Sequence, residues 1–560
     1  MALNSFSYFL PDQIEGGFRR TAAQWQVDDK IAGIWQRDAS VWTGSGEENW
    51  LGWLDIVERE LADLQKYRSL HEDIETAGFE HILLLGMGGS SLCPEVLANT
   101  FGKAHFHILD STVPAQVKAV ENKISLEKTL FIVASKSGST LEPNCFKQYF
   151  FDRVSQSSTE PGKHFVAITD PGSRMEQVAL DDGFRHIIYG EPTVGGRFSA
   201  LSPFGMAAAA AMGLNVEEFL NNASRMSAAC RNGDPQNNPG ALLGLLLGVC
   251  HKAGRDKLTI FTSPEVASLG AWLEQLVAES TGKNGVAIIP VDGEPKLDTA
   301  KYGDDRIFAF IATGHSMDFD KFAKDLQNAG HPTVSIEMPD VSRLAQEFFR
   351  WEFATAVAGA VMGINPFDQP DVESAKIEAR KLTDTYEQTG ALPGETPFYI
   401  EGNIGLYAGE QYASQLTAEA NKLADILAAH IGNIRPDDYF ALLAYLEMNT
   451  EHSTLLGHIR KAVLERCHAA TCLGFGPRFL HSTGQAYKGG ANNGVFLQIT
   501  ADDPFDLPVP GQKYTFGVVA ASQARGDFEV LVDRGRRALR IHLGPDVKAG
   551  LELILSAVLP

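Results

Sequence analysis

The chain has 560 residues, 44% of them hydrophobic and 21% charged, a composition typical of a folded globular protein that excludes wholesale disorder. This length exceeds what one hydrophobic core normally serves, so we expect two or three packed domains. The formal net charge of −22 disfavours a nucleic-acid partner, because phosphate backbones are bound by dense clusters of Lys and Arg.

The cysteines and the apolar runs of the chain indicate its cellular compartment. The six cysteines are scattered along a long chain, unlike the dense framework of a small secreted domain, so we expect reduced thiols. The first residues lack a basic segment followed by an apolar one, and no apolar run reaches the length of a membrane span. We therefore expect a cytoplasmic protein that does not act at a membrane.

The predicted elements begin with a helical lead-in over residues 1–77. From residue 81, short apolar runs alternate with turn residues and helical stretches, and these runs are HILLLG, FHILD, TLFIVAS and HFVAITD. The alternation predicts a parallel sheet with helices on both faces, which we assign to a first domain over residues 78–235.

A second alternation follows a helical block rich in alanine and leucine. Its apolar runs are LTIFTS, GVAIIPV, RIFAFIATG and PTVSIEM, which predict a second doubly wound domain over residues 236–390. Residues 391–560 predict a further mixed α/β region with a strand at GVFLQIT and a final helix. The predicted fold class is α/β, with two doubly wound parallel-sheet domains between the lead-in and this region.

The first motif, LLLGMGGSSLCP, places Gly86, Gly88 and Gly89 directly after a predicted strand. Glycines at such a position let the backbone approach a ligand closely, although a tight turn or a dinucleotide site uses them as well. The dinucleotide pattern G-x-G-x-x-G fails, because Ser91 stands at its third glycine. Hydride chemistry is therefore disfavoured.

The second motif, ASKSGSTLEP, also follows a predicted strand and precedes a helix. It offers hydroxyl donors, one lysine and the free N–H groups of a helix start, which together form a cradle for a phosphomonoester. A capped turn rich in Ser and Thr is the simpler alternative, but one cap does not require this many donors. We interpret the motif as a phosphate site.

Three further motifs carry charged residues that are uninformative when taken singly. Arg197 in GGRFS is compatible with an ordinary surface arginine. Glu279 in WLEQLVAESTGKNG lies near the end of a helical pattern, where the helix dipole disfavours a carboxylate. Lys376 lies two turns into a helix that Pro370 can open, and such a lysine is usually solvated.

The two loops resemble the SIS family of sugar-phosphate isomerase and binding domains. All five motifs, in their order and wording, closely resemble the phosphoglucose isomerase family over about residues 80–385. The flanking segments WLGWLD and GFGPRFLHSTGQAYKGG look more like the isomerase half of bacterial fusions of transaldolase with phosphoglucose isomerase. The resemblance implies reversible isomerisation of glucose 6-phosphate and fructose 6-phosphate, with no cofactor and no metal.

The resemblance also implies residue roles. Glu279 would move a proton between C2 and C1 through an enediol, and Arg197 would stabilise the negative charge on oxygen. Gln369 would position substrate hydroxyls, and Lys376 would assist ring opening. The remaining residues expected to contact the substrate, mainly at its phosphate, are Gly89, Ser90, Ser135, Lys136, Ser137, Ser139, Thr140 and Gly196.

The ring-opening histidine lies outside the family's usual order, which places it between the catalytic glutamate and the lysine. That stretch contains only His315 and His331, and neither lies in a matching motif. The segment FLHSTGQAYKGG further along resembles the family's histidine motif, so we assign ring opening to His481. His468, beside Cys467, matches no zinc spacing.

Several alternatives remain open at the level of sequence. A dual phosphoglucose and phosphomannose isomerase would share these motifs, and a non-catalytic sugar-phosphate sensor would share the two loops. The family is commonly dimeric, which makes a homodimer possible here. His481 then acts either in its own chain or in a neighbouring one.

Overall fold

The lead-in is helical, as predicted, apart from one strand at its start. The computed structural model describes residues 2–418 and 420–559. The lead-in elements are β1 (Ser5–Phe9), α1 (Asp12–Val27), α2 (Lys30–Trp35), α3 (Ile56–Ala62) and α4 (Gln65–Ala77). Strand β1 pairs with a strand 332 positions away, Ser5 lying opposite Glu337, so the local sequence does not reveal it.

The first sheet is entirely parallel. Its region comprises β2 (His81–Gly86), α5 (Leu92–Thr100), β3 (Phe106–Leu109), α6 (Pro114–Glu121), β4 (Thr129–Ala134), α7 (Leu141–Ser155), β5 (Phe165–Thr169), α8 (Arg174–Asp181) and β6 (His186–Tyr189). The strands lie in the order β3-β2-β4-β5-β6. Their continuous apolar runs are typical of parallel strands that helices cover on both faces.

A helical block and the second sheet follow. The elements are α9 (Pro203–Ala211), α10 (Val216–Ala229), α11 (Pro239–Lys252), β7 (Lys257–Thr262), α12 (Leu269–Thr281), β8 (Ile289–Asp292), β9 (Arg306–Thr313), α13 (Met317–Asn328), β10 (Thr333–Met338) and α14 (Leu344–Met362). The sheet order is β1-β10-β9-β7-β8, and β1 is antiparallel to its neighbour. Helix α14 is buried along almost its whole length and lies against α11 in the main hydrophobic core.

The C-terminal region contains a third, largely parallel sheet, of which the sequence analysis identified one strand. Helix α15 (Pro370–Thr389) precedes this region, whose elements are β11 (Tyr399–Glu401), β12 (Ile404–Tyr407), α16 (Glu410–Thr417), α17 (Leu423–Gly432), β13 (Tyr439–Tyr445), α18 (Thr450–Cys467), β14 (Ala470–Phe475), α19 (Gly484–Gly489), β15 (Gly494–Ala501), α20 (Phe516–Asp533), β16 (Arg537–Leu543) and α21 (Val547–Val558). The strands lie in the order β11-β12-β16-β15-β13-β14.

The three sheets repeat one order of parallel strands, namely β3-β2-β4-β5, β8-β7-β9-β10 and β14-β13-β15-β16. In each, the first strand along the chain lies between the second and the third. The direction of winding reverses between the first and third strands, which opens a crevice at their carboxyl ends where ligands commonly bind.

The α/β class with doubly wound parallel sheets is confirmed, whereas the domain limits at residues 78, 236 and 391 stay predictions. None of the helices in the described part of the chain combines the length and the apolar character needed to cross a membrane.

Candidate active site

A cavity of about 420 Å³ lies in the crevice between the carboxyl ends of β2 and β4. Both predicted loops, the turn before α9, the end of α12 and the start of α15 contribute to its walls. Of the predicted site residues, the cavity is lined by Gly89, Ser90, Ser135, Lys136, Ser137, Thr140, Gly196, Arg197, Glu279, Gln369, Lys376 and His481. The structure thus brings together residues that lie almost 400 positions apart.

Ser139 does not line the cavity, but its hydroxyl lies 2.7 Å from that of Ser137, which does. The Ser139 hydroxyl therefore supports the phosphate loop indirectly, through Ser137. Its predicted direct contact with the substrate stays a prediction.

The glycine loop makes a close approach to two other segments. Gly88 has a positive φ of 55°, and a Cβ at this position would lie 2.8 Å from Nε2 of Gln275. A Cβ at Gly89 would lie only 1.9 Å from the carbonyl oxygen of Gly196. Both positions exclude side chains, because the loop, the Gly196 turn and α12 converge here.

The Ser/Thr loop presents hydroxyl groups at the start of α7. The Ser135 hydroxyl is buried and has no hydrogen-bond partner among the described residues. Thr140 is the residue before α7, and its side chain does not cap the helix. These hydroxyls and the first N–H groups of α7 are the donors that a phosphate ester needs.

Lys136 lines the same cavity, but other protein groups engage its ammonium. It pairs with the carboxylate of Asp170 and donates to the carbonyl oxygens of Glu191, at 3.2 Å, and Pro192, at 3.1 Å. Much of its charge is therefore balanced within the protein. Its expected direct contact with the substrate stays a prediction.

Arg197 and Glu279 form an ion pair, with Nη1 of the arginine 3.2 Å from Oε1 of the glutamate. The guanidinium is only 2% exposed and donates to the Ser280 hydroxyl, to Gln369 Oε1 and to the carbonyl oxygens of Pro366 and Asp368. Burial lowers the pKa of Arg197, while attraction to Glu279 and Asp368 opposes the shift. Arginine stays protonated in proteins, so a fixed positive charge faces the cavity.

Glu279 lies in the last turn of α12, as predicted, and is held by a residue that the sequence analysis missed. Gln275, one turn earlier on the same helix, donates from Nε2 to Glu279 Oε2 at 3.1 Å and to the carbonyl oxygen of His481 at 2.8 Å. The spacing of four residues in QLVAE could have indicated this contact.

His481 is held by a second buried carboxylate. Its Nε2 lies 2.8 Å from Oε1 of Glu142, which also accepts a 2.6 Å hydrogen bond from Gln523 Nε2. Burial alone would raise the pKa of Glu142, but interaction with His481 and the nearby Lys376 lowers it below its ordinary value. Since an ionised carboxylate only accepts hydrogen bonds, the proton of a neutral His481 lies on Nε2 and leaves Nδ1 as the basic nitrogen.

Glu142 and Gln523 were both missed by the sequence analysis. Glu142 belongs to the phosphate-loop motif and lies in the first turn of α7, where an acid is usual, so it did not attract a separate role. Gln523 lies 381 positions from Glu142, on α20, and carries no sequence signal of a role.

Lys376 lies in the second turn of α15, and its side chain is 40% exposed with Nζ 3.8 Å from Glu373. Gln485, from the histidine motif, fixes the start of this helix by accepting from the backbone N–H groups of Asp371 and Val372. Its Nε2 donates to the carbonyl oxygen of Gly282, which follows α12. One glutamine thus joins the segments that carry Lys376, Glu279 and His481.

Within residues 2–418 and 420–559, no three His, Cys, Asp or Glu side chains are grouped in a way that could hold a metal ion.

Comparison with known proteins gives a family match. A family model described as phosphoglucose isomerase matches residues 58–295. A "probable glucose-6-phosphate isomerase" of Methanococcus maripaludis is 27% identical, over 63% of this chain and 87% of that protein. A glucose-6-phosphate isomerase of Prochlorococcus marinus is 26% identical, over 72% of this chain and 82% of its own length.

Two solved structures share the fold. A hypothetical protein from Thermus thermophilus superposes with a TM-score of 0.57 at 23% identity, over 67% of this chain and 99% of that one. A glucose-6-phosphate isomerase from Chlamydia trachomatis superposes with a TM-score of 0.51 at 21% identity, over 57% of this chain and 73% of its own.

Proposed function

Because this chain belongs to the phosphoglucose isomerase family, we infer that it interconverts glucose 6-phosphate and fructose 6-phosphate. The observation that carries the inference is the Arg197–Glu279 pair, which faces the same cavity as the phosphate loop and His481. The relatives reported above are named as isomerases, which favours an enzyme over a non-catalytic sensor.

Substrate binding begins at the phosphate. The hydroxyls of Ser135, Ser137 and Thr140 and the start of α7 bind this group, with Ser139 holding Ser137. Hydrogen-bond donors close to the phosphate dianion bind it even though the protein is strongly acidic, because salt screens the field of distant surface charges. The sugar then extends toward Arg197 and Glu279, which line the same cavity.

Proton transfer is the role of Glu279. Its carboxylate removes the proton from C2 of the open-chain aldose and returns it to C1, through an enediol, while the hydroxyl proton passes from O2 to O1. Gln275 and Arg197 each hold one oxygen of this carboxylate, so its orientation is set before the substrate enters. The Arg197 guanidinium stabilises the negative charge that develops on the substrate oxygen, a contribution of about 3 kcal/mol by analogy with other fixed donors.

Ring opening is the role of His481 with Lys376. The basic Nδ1 of the imidazole accepts a hydroxyl proton of the cyclic sugar, and the positive charge that results is balanced by Glu142. Lys376 supplies a proton donor at the mouth of the cavity. His481 lines the same cavity as Glu279 and Lys376 of its own chain, which supports action of His481 in its own active site.

The test of this function is the exchange of the C2 proton with solvent deuterium, measured beside turnover of fructose 6-phosphate in a coupled assay. Glu279→Gln keeps the shape of the side chain and removes the base, so we expect both rates to fall about 10³- to 10⁴-fold. The matched control is Glu127→Gln, an exposed acid next to the amino end of β4, at the opposite edge of the sheet from the cavity. Exchange that persists in Glu279→Gln would assign the base to another residue.

A further inference from the structure

A second cavity, of about 240 Å³, lies at the carboxyl ends of β13 and β15 in the third sheet. Tyr445, Thr500 and Ala501 line it from these strands. This is the point where the strand order of the third sheet reverses, and it corresponds to the position of the active-site cavity in the first sheet. The fold therefore offers the same kind of ligand crevice twice.

The helix start beside this crevice is already occupied by a protein carboxylate. Helix α20 corresponds in topology to α7, which begins at the phosphate loop of the active site. At the start of α20, however, the Asp506 carboxylate accepts a 2.8 Å hydrogen bond from the backbone N–H of Gly517 and another from the Thr515 hydroxyl. A phosphate is consequently not expected at this helix start.

Two arginines form the inner end of the cavity and share one acid. Arg540 is 3% exposed and donates from Nη2 to Oε1 of Glu395 at 2.7 Å. Arg525 donates from Nη1 to the carbonyl oxygen of Pro393 at 2.8 Å, and its buried Nε lies 2.9 Å from Oε2 of Glu395 without forming an aligned hydrogen bond to any of the described residues. Both guanidinium groups thus pair with the same carboxylate, Glu529 also attracts Arg525, and the buried Arg525 Nε lacks an aligned acceptor among the described residues.

The outer part of the cavity is polar. Thr500 and His542 lie side by side, with Oγ1 3.0 Å from Nδ1, and both line the cavity. Asp503 also lines the cavity but is exposed to solvent, and it lies near the carboxylates of Asp502 and Asp506.

We propose that this cavity binds a small hydroxy acid, with the carboxylate at Arg525 and Arg540 and the hydroxyl groups toward Thr500 and His542. A planar carboxylate matches the donor fork of a guanidinium, and hydroxyl groups both donate and accept hydrogen bonds. The cavity is smaller than the active-site cavity of about 420 Å³, which limits the ligand to fewer carbons than a hexose phosphate. None of these residues takes part in the isomerase reaction described above.

The test is titration calorimetry on the full chain, with fructose 6-phosphate present at saturation so that the active site stays filled. The probes are D-glycerate and malate, and glycerol is the neutral match of glycerate. We expect both acids to bind at least tenfold more tightly than glycerol, because a charged hydrogen bond contributes more than a neutral one. Absence of binding by both acids up to about 10 mM, or equal binding of glycerol and glycerate, overturns the proposal.

Variants locate the binding to this cavity. Arg525→Gln removes a charge at the inner end and should weaken binding of the acids about 10- to 100-fold. Ala521→Phe fills the cavity from α20 without changing its charge and should abolish binding. The control Arg380→Gln removes an exposed arginine of the neighbouring helix α15 and should leave affinity unchanged.

Isomerase turnover within twofold of wild type serves as the check that each variant is folded, since none of the three residues lines the active-site cavity. Binding that survives both Arg525→Gln and Ala521→Phe places the acid elsewhere and contradicts the proposal. If either variant fails the folding check, the comparison of glycerate with glycerol on wild-type protein still decides whether a hydroxy acid is bound.

Discussion

The active-site cavity has two sides that are built differently. One side consists of Arg197, Glu279 and Gln369, and we call it the proton-transfer side after its proposed role. The turn before α9, α12 and the residue before α15 supply these residues. The ring-opening side, which we define as His481, Glu142 and Gln523, joins the first sheet to the third across separations of 339 and 381 positions. The first side is formed by motifs in the family's order, whereas the second depends on how the C-terminal region packs.

This difference predicts how strongly single substitutions on each side affect activity. The Arg197 guanidinium donates to four different acceptors, so this side is fixed by one residue with many bonds. On the other side, Glu142 accepts from both His481 and Gln523, so a short chain of hydrogen bonds fixes the imidazole. We expect single substitutions at Arg197 to lower kcat more than single substitutions at Glu142.

After Glu279→Gln, Arg197→Lys is the change with the largest expected effect. A lysine keeps the charge but cannot reach the Ser280 hydroxyl, Gln369 and the carbonyl oxygens together, because it lacks the guanidinium fork. We expect kcat to fall about 10²- to 10³-fold, as for loss of other fixed donors that stabilise a developing oxyanion. Steady-state kinetics on fructose 6-phosphate, with circular dichroism as the folding control, checks this. A rise in KM with unchanged kcat would mean that Arg197 contributes to ground-state binding instead.

The ring-opening side is tested by a double-mutant cycle. His481→Ala should lower kcat about 100-fold, in the range typical of general acid–base groups, and Glu142→Gln should lower it about tenfold by releasing the imidazole. The double variant should be no slower than His481→Ala, because Glu142 acts through the histidine. If the fold-decreases in kcat of the two single variants multiply in the double variant, Glu142 has a role independent of His481.

Mixing variants tests whether the two sides come from one chain. Equimolar Glu279→Gln and His481→Ala chains, unfolded and refolded together, should show no more activity than the sum of the two alone. A gain toward a quarter or half of wild-type activity would mean that His481 serves a neighbouring chain, as different chains would then complete one site.

The two sides also differ in how far the sequence predicted them. Strands β2 to β5 and β7 to β10, and the contribution of Arg197, Glu279 and Lys376 to one cavity, followed from apolar alternation and motif wording, whereas β1 and β6 were not predicted. Glu142 was missed because it lies in a motif that phosphate binding already explained. Gln523 was beyond prediction, because its contact depends on the position of α20 relative to the first sheet, which no local pattern encodes.

The third sheet shows the same limit. Of its strands only Gly494–Ala501 was identified, although YFALLAY at β13 is also a continuous apolar run typical of a buried strand. Strands β11 and β12 are short and partly exposed, so their hairpin depends on pairing with β16 rather than on propensity. The crevice with Arg525 and Arg540 appears only once the strand order is known.

The smallest expected effect is the pH dependence of stability that Glu142 contributes. Its pKa in the folded protein lies below the ordinary value, so between the two values the unfolded chain binds more protons and folding weakens as pH falls. This stabilisation is fully present above the ordinary pKa of 4.5 and is lost as pH decreases through the lower folded value. Glu142→Gln cannot titrate, so its urea midpoint should fall less steeply than that of wild type below about pH 5. Parallel curves for the two proteins would mean that the pairing with His481 does not lower the pKa of Glu142 in solution.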